Sequence, residues 1–179
     1  MLETLDYLLS EDEAMLAETV GRKRCETKNE NIRFNDSGYH KDNSDRSYPH
    51  IIGIKSEIAY AAITHQTIDM NFFSDHGDES DFKHVEIKSC TRMDDNAELL
   101  VKVSEYKRKQ PTYYILARVK DNLVQFLGSI SRKNFDIRKS EVTHFAYNYC
   151  VPALVLAKWL PCYKNDKWVR YDFKPTKGI

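Results

Sequence analysis

The chain has 179 residues, 41% hydrophobic and 12% aromatic, and its 27 Lys and Arg balance 27 Asp and Glu. That length fits one domain, residues 1–179, with a sizeable core, and the composition excludes a disordered or repetitive chain. No apolar run approaches the roughly 18 residues of a membrane span, so no membrane partner is expected. The acidic start, Met1–Asp6, lacks the basic-then-apolar order of a secretory signal, which points to the cytoplasm. Cys25, Cys90, Cys150 and Cys162 have no paired spacing and read as buried thiols of a reducing compartment, not as zinc ligands. The even net charge hides a segregation. Residues 67–86 carry six acids against Lys83, and residues 102–139 carry ten Lys or Arg against three acids. An acidic pocket beside a basic field suits a metal-dependent enzyme acting on a polyanion.

In chain order, Leu5, Leu8, Leu9, Met15, Leu16 and Val20 recur at helical spacing, which predicts one or two short helices over residues 3–21, with Ser10 as an N-cap candidate. Residues 22–50 are polar and without periodicity, as functional or mobile segments often are. Their Arg22, Lys23, Arg24, Lys28 and Arg33 are candidate phosphate contacts. Residues 53–66 read as a helix with a stripe of Ile54, Ile58, Ala61, Ala62 and His65, and Glu57 on its edge. A short strand over 68–73 and a polar connection over 74–80 follow. Residues 99–109 mix strand and helix signals. Strands are predicted over 113–119 and 123–130, joined by a turn at Lys120-Asp121-Asn122, with a short helix beginning at Ser131. The aromatic C-terminal element, residues 143–179, includes a predicted helix over 151–160 with Pro152 in its first turn. This order predicts an α/β domain with a central mixed β-sheet flanked by helices, its core at about 53–135.

Residues 80–88, Ser-Asp-Phe-Lys-His-Val-Glu-Ile-Lys, carry the chemistry. Val85 and Ile87 alternate with Glu86 and Lys88, the period of a half-buried strand. If Lys83-His84 is a two-residue turn, Phe82 pairs with Val85 and Asp81 falls opposite Glu86, gathering Asp81, Glu86 and Lys88 into one patch. Facing carboxylates repel unless a cation lies between them. Asp81, Glu86 and the Ile87 backbone carbonyl are oxygen donors of the kind Mg²⁺ takes, with Mn²⁺ as its substitute. Glu57 can add a further ligand. Lys88 can orient or deprotonate a water, or stabilise charge on a phosphate. An E-x-K pattern alone also describes an ordinary solvent-facing strand.

The order of Glu57 on an early helix (Gly53-x-x-x-Glu57-Ile58-Ala59), then Asp81, then Glu86-Ile87-Lys88 on a strand, resembles the PD-(D/E)xK nuclease superfamily. The resemblance covers roughly residues 53–130 and implies a restriction-endonuclease-like core. It implies Asp81 and Glu86 as metal ligands, Lys88 as the catalytic lysine and Glu57 as an auxiliary acid. Ser80 stands where the pattern has proline. The gap from Asp81 to Glu86 is short for the superfamily, so Asp78, or Asp75, is the alternative first carboxylate. Asp81 is preferred because the two-residue turn aligns it with Glu86.

The expected function is therefore Mg²⁺-dependent hydrolysis of phosphodiester bonds in DNA, most simply as an endonuclease of phage, repair or restriction type. RNA is a second candidate substrate and a homodimer a candidate assembly. Arg22, Lys23, Arg24, Lys102, Lys107, Arg108 and Lys109 are the candidate nucleic-acid contacts, and Tyr106, Tyr113 and Tyr114 can stack on bases. His76 and His84 flank the acidic patch, while His65, Trp159 and Trp168 read as packing residues. Two rivals stand beside this reading: a nucleic-acid-binding module of the same fold without catalysis, and an interaction protein whose acidic hairpin grips a host partner.

Overall fold

The computed structural model describes residues 2–29, 46–68, 80–142 and 147–173, and within these the side chains of 27–29 and 142 are left aside. Strand β1 (Leu5–Leu8) leads into α1 (Glu11–Asn29), and α2 (Tyr48–Thr64) precedes β2 (Val85–Cys90). Next come β3 (Glu98–Lys102), the short α3 (Val103–Arg108), β4 (Tyr113–Lys120), β5 (Leu123–Ser131) and α4 (Arg132–Arg138). The C-terminal part holds β6 (Ser140–Val142), β7 (Asn148–Pro152), a 3-10 turn (Ala153–Val155), β8 (Trp159–Lys164) and β9 (Lys167–Asp172).

The fold is α/β with a mixed sheet flanked by helices. The main sheet runs β1-β5-β4-β2, with β2 parallel to β4 and the other neighbours antiparallel. Alternation along β4 divides the core. Ile115, Ala117 and Val119 join Val85, Ile87, Val124 and Phe126 against Val20, Ile54 and Ile58 of the α1–α2 layer. Tyr114 and Leu116 turn the other way, onto Leu99, Val101, Val151 and Phe135 of the β3-β7-β6 sheet and α4. The hairpin β8–β9 forms a third, two-stranded sheet, tied to β5 where Ser129 and Ala157 exchange backbone hydrogen bonds of 2.9 and 2.8 Å. No helix among the described residues is long and apolar enough to cross a membrane.

Two glycines permit this packing. At Gly128 φ is +142°, and a Cβ would lie 2.7 Å from both the Ala157 carbonyl oxygen and Leu156 Cβ. The register between β4 and β5 shifts beside it, between Leu116 and Ala117. A Cβ on Gly21 would meet the backbone of Ile51 at 2.7 Å. That close approach of α1 to α2 brings Arg24, one turn further along α1, over Glu57.

Several expectations need correction. Residues 5–8 are a strand, not a helix: their leucines sit at helical spacing, but Leu5 and Tyr7 alternate inward and pair with the free edge of β5. Helix α1 then extends to Asn29, so Arg22–Arg24 are helical and not part of an irregular polar segment. Its start is a capping box: the Glu13 N–H donates to Ser10 Oγ at 3.3 Å and the Ser10 N–H to Glu13 Oε2 at 2.8 Å. Helix α2 begins five residues earlier than the stripe implied, with Pro49 in its first turn, and His65 is its exposed left-handed C-cap (φ 52°), not a packed residue. Residues 151–160 form no α-helix, because Val151 and Pro152 complete β7 and Trp159 opens β8. The mixed signals over 99–109 resolve into β3 followed by α3. Of the expected strand over 68–73 and connection over 74–80, residues 69–79 lie outside the described residues, and so do Asp75, His76, Asp78 and Arg33.

Candidate functional site

The site forms around β2, at one edge of the main sheet. Phe82 and Val85 exchange two backbone hydrogen bonds (3.0 and 2.9 Å), so Lys83-His84 is a two-residue turn, with His84 at φ 67°. Lys-His is a poor pair for such a turn by its own preference. The His84 ring packs against Tyr163 and Trp168 at 4.9 and 6.3 Å between centroids, a tertiary support that the local sequence does not reveal.

Beyond that bridge the chain bends, and Asp81 does not enter a ladder with Glu86. Its Oδ2 instead accepts the Ile87 N–H at 2.8 Å. Val85 bonds to Phe82 and Ile87 to Asp81, so both turn their backbone groups away from β4, to the edge where the described residues place no further strand. Asp81 therefore supplies the partner that a further strand would have supplied, and the Ile87 carbonyl lies on its side of β2.

Glu86 and Lys88 share the opposite face from Val85 and Ile87. Glu86 is 2% exposed, and both of its oxygens accept from Lys109 Nζ, at 2.8 and 3.0 Å. Lys88 Nζ lies 2.9 Å from Glu86 Oε1 and 2.6 Å from Glu105 Oε1. Glu105 comes from α3, and Lys109 is the residue that ends it. Arg132, at the start of α4, donates to the carbonyls of Tyr106 (3.0 Å) and Lys109 (2.9 Å) and to the Tyr114 hydroxyl (3.1 Å), fixing this turn over β2. Glu57, 8% exposed, meets Arg24 in a two-pronged pair of 3.0 and 3.2 Å.

Among the described residues, three cations, Arg24, Lys88 and Lys109, thus face four carboxylates, Glu57, Asp81, Glu86 and Glu105. One negative charge is left over in a poorly solvated place. Burial, reinforced by Asp81, pushes the Glu86 carboxyl up to about 7. Burial and the nearby Glu57 push Asp81 up to about 6. Glu57 is also raised, by burial first, with Arg24 opposing and Glu86 adding. Glu105 goes the other way: burial resists, but Lys88 and its hydrogen bonds draw it down to about 2. Burial would lower Lys88, yet Glu86, Glu105 and Asp81 overcome this and raise it above its ordinary value. Lys88 is therefore held as an ammonium, which favours charge stabilisation over proton abstraction.

The basic candidates divide. Arg24 and Lys109 are engaged with the buried acids. Lys23, Lys102, Lys107 and Arg108 are exposed, and Arg22 is an exposed partner of Glu18 at 2.7 Å. Glu105 and Arg132 escaped the sequence reading. A carboxylate followed by Tyr106-Lys107-Arg108 looks like a solvated charge run, and only the return of α3 onto β2 gives it a partner.

Among the described residues no three of His, Cys, Asp and Glu stand as a ready-made metal-ligand group. Glu57, Asp81 and Glu86 are oxygen donors of the kind a hard divalent cation takes, but in this arrangement Arg24, the Ile87 N–H and Lys109 engage them. No protein-family model matches the chain, and no curated protein or solved structure matches it.

Proposed function

We propose that this protein is a Mg²⁺-dependent deoxyribonuclease with a restriction-endonuclease-like core, hydrolysing phosphodiester bonds within DNA. The observation that carries the reading is the meeting of Glu57, Asp81, Glu86 and Lys88, from a helix, a turn and a strand, in one cluster with a surplus negative charge. Asp81, Glu86 and the Ile87 carbonyl would hold the ion, with Glu57 behind them. Bound there, Mg²⁺ supplies Lewis acidity toward a phosphodiester oxygen. The chain's own part is electrostatic. Lys88, kept charged by Glu105, presents an ammonium to the charge that develops on the phosphate. Lys109 must give up Glu86 for the carboxylate to turn to a metal, and Arg132 sets where Lys109 begins. The test is nicking of supercoiled plasmid with Mg²⁺, absent in chelator and abolished by Lys88→Ala. Wild-type protein that leaves plasmid intact across Mg²⁺ and Mn²⁺ concentrations overturns it.

A second reading has one observation in its favour. Both Glu86 oxygens are already taken by Lys109, as suits a nucleic-acid-binding module in which ammonium groups have replaced the metal. Mn²⁺ titration by calorimetry separates the two, because the binding module takes up no ion at this site.

A further inference from the structure

We propose that the β8–β9 hairpin is a stacking platform for unpaired nucleotides, so that the substrate presents a single-stranded segment beside the cluster. This rests on the nucleic-acid reading above and deepens it. Cross-strand pairing puts Trp159 and Tyr163 of β8 on one face with Trp168 and Arg170 of β9. Tyr113 of β4 completes the face, its ring 5.4 Å from Trp159 and 4.8 Å from Trp168, while Tyr163 lies 5.1 Å from Trp168.

These rings are not sealed in a core. Trp168 is 42% exposed and the other three are half-buried. Cations lie over them: Lys83 Nζ is 4.9 Å from the Tyr163 centroid and the Arg170 guanidinium 5.2 Å from that of Trp159. Among the described residues each cation pairs with an exposed carboxylate, Asp166 at 3.5 Å and Asp172 at 2.5 Å. Such pairs are weak, so a phosphate can take the carboxylate's place. Tyr113 and Trp159 also wall a cavity of about 170 Å³ that Arg138 and Asn134 line. Half-exposed rings interleaved with cations match the alternation of base and phosphate in a single strand, whereas a duplex hides its base faces.

The location ties the platform to the cluster. Tyr113 pairs with Val85, the residue before Glu86, and Lys83 lies in the turn between Asp81 and Glu86. Both features sit where the parallel strands β2 and β4 begin. Tyr113 lies on the Val85 face, opposite Glu86, so a strand stacked on the rings meets the cluster at the Lys83 turn, beside Asp81.

The chain's two tryptophans both stand on this face, so intrinsic fluorescence reads it directly. The full chain is titrated in chelator with a ten-residue oligothymidylate and with a blunt duplex. The expectation is saturable quenching by the oligothymidylate, weaker binding to the duplex, and affinity lowered ~10-fold in Trp168→Ala but nearly restored in Trp168→Phe. Circular dichroism shows whether Trp168→Ala folds. If it does not, Arg170→Ala, with the rings intact, must still weaken binding. No quenching, duplex binding as tight as single-strand binding, or unchanged affinity in both variants overturns the proposal. Plasmid nicking without quenching would overturn the platform alone, and quenching with neither the plasmid nor the oligothymidylate cut in Mg²⁺ would overturn the nuclease reading alone.

Discussion

The edge of β2 and the β8–β9 hairpin both carry paired charges, yet the pairs behave oppositely. At β2 the partners are buried and held from several elements, so Glu86 cannot lose Lys109 without leaving a charge in a poorly solvated place. At the hairpin the pairs Lys83–Asp166 and Arg170–Asp172 are more than half exposed, and water readily replaces either partner. Burial thus lets one cluster exchange a partner only for another cation and leaves the other free to exchange with water. The largest test of this contrast is Glu86→Ala, which takes both carboxylate oxygens from Lys109 and leaves Lys88 and Lys109 to share Glu105. It is expected to destabilise the protein by about 3 kcal/mol in urea denaturation. A loss below about 1 kcal/mol would mean that the cluster is as solvated as the rim.

Lys88→Ala is expected to reduce plasmid nicking by about 10²–10³-fold while binding of an oligonucleotide in chelator changes little, as follows for a group acting on developing charge. A variant that loses binding and cleavage together would assign Lys88 to docking instead.

The pH dependence sharpens the contrast further. Glu86 and Asp81 hold protons more tightly in the folded state than in the unfolded one. In chelator, stability should therefore fall as pH rises from about 4.5 through 7. The lowered Glu105 adds a slope of opposite sign, but only below its ordinary range. Mg²⁺ needs the ionised carboxylates, so the rise in Tm that it causes should grow over the same window. Denaturation at pH 5 and pH 8 measures both, and Glu86→Gln should flatten the profile. A wild-type profile already flat across the window would show that the leftover charge is solvated.

The sequence made β2 legible because Val85 and Ile87 alternate with Glu86 and Lys88, a pattern that survives any tertiary context. The turn at Lys83-His84 was legible from the spacing of Phe82 and Val85, although the rings that support it come from eighty residues away. What could not be read was partnership. Nothing near Glu105 marks it as the companion of Lys88, and nothing in Arg22-Lys23-Arg24 says that the third side chain covers Glu57 while the first two stay exposed. Local leucine spacing misled at residues 5–8 because the open edge of β5 decides their conformation. Val151–Leu160 failed for a like reason: its apolar run is shared between β7 and β8, and Gly128 provides the space between them.

The smallest expected effect bears most directly on how the two regions divide the work. Arg170→Ala removes a guanidinium whose carboxylate partner among the described residues, Asp172, is as exposed as itself, so stability should change by no more than about 1 kcal/mol. If Arg170 meets phosphate, the same change should lower oligonucleotide affinity and reduce the dependence of log affinity on log salt by about 0.7, the contribution of one phosphate contact on a single strand. The two readouts move independently only where a charge is poised for a ligand and not for the fold. A stability loss as large as that of Glu86→Ala would make the hairpin a second structural cluster. An unchanged salt slope would leave Arg170 as a partner of Trp159 alone.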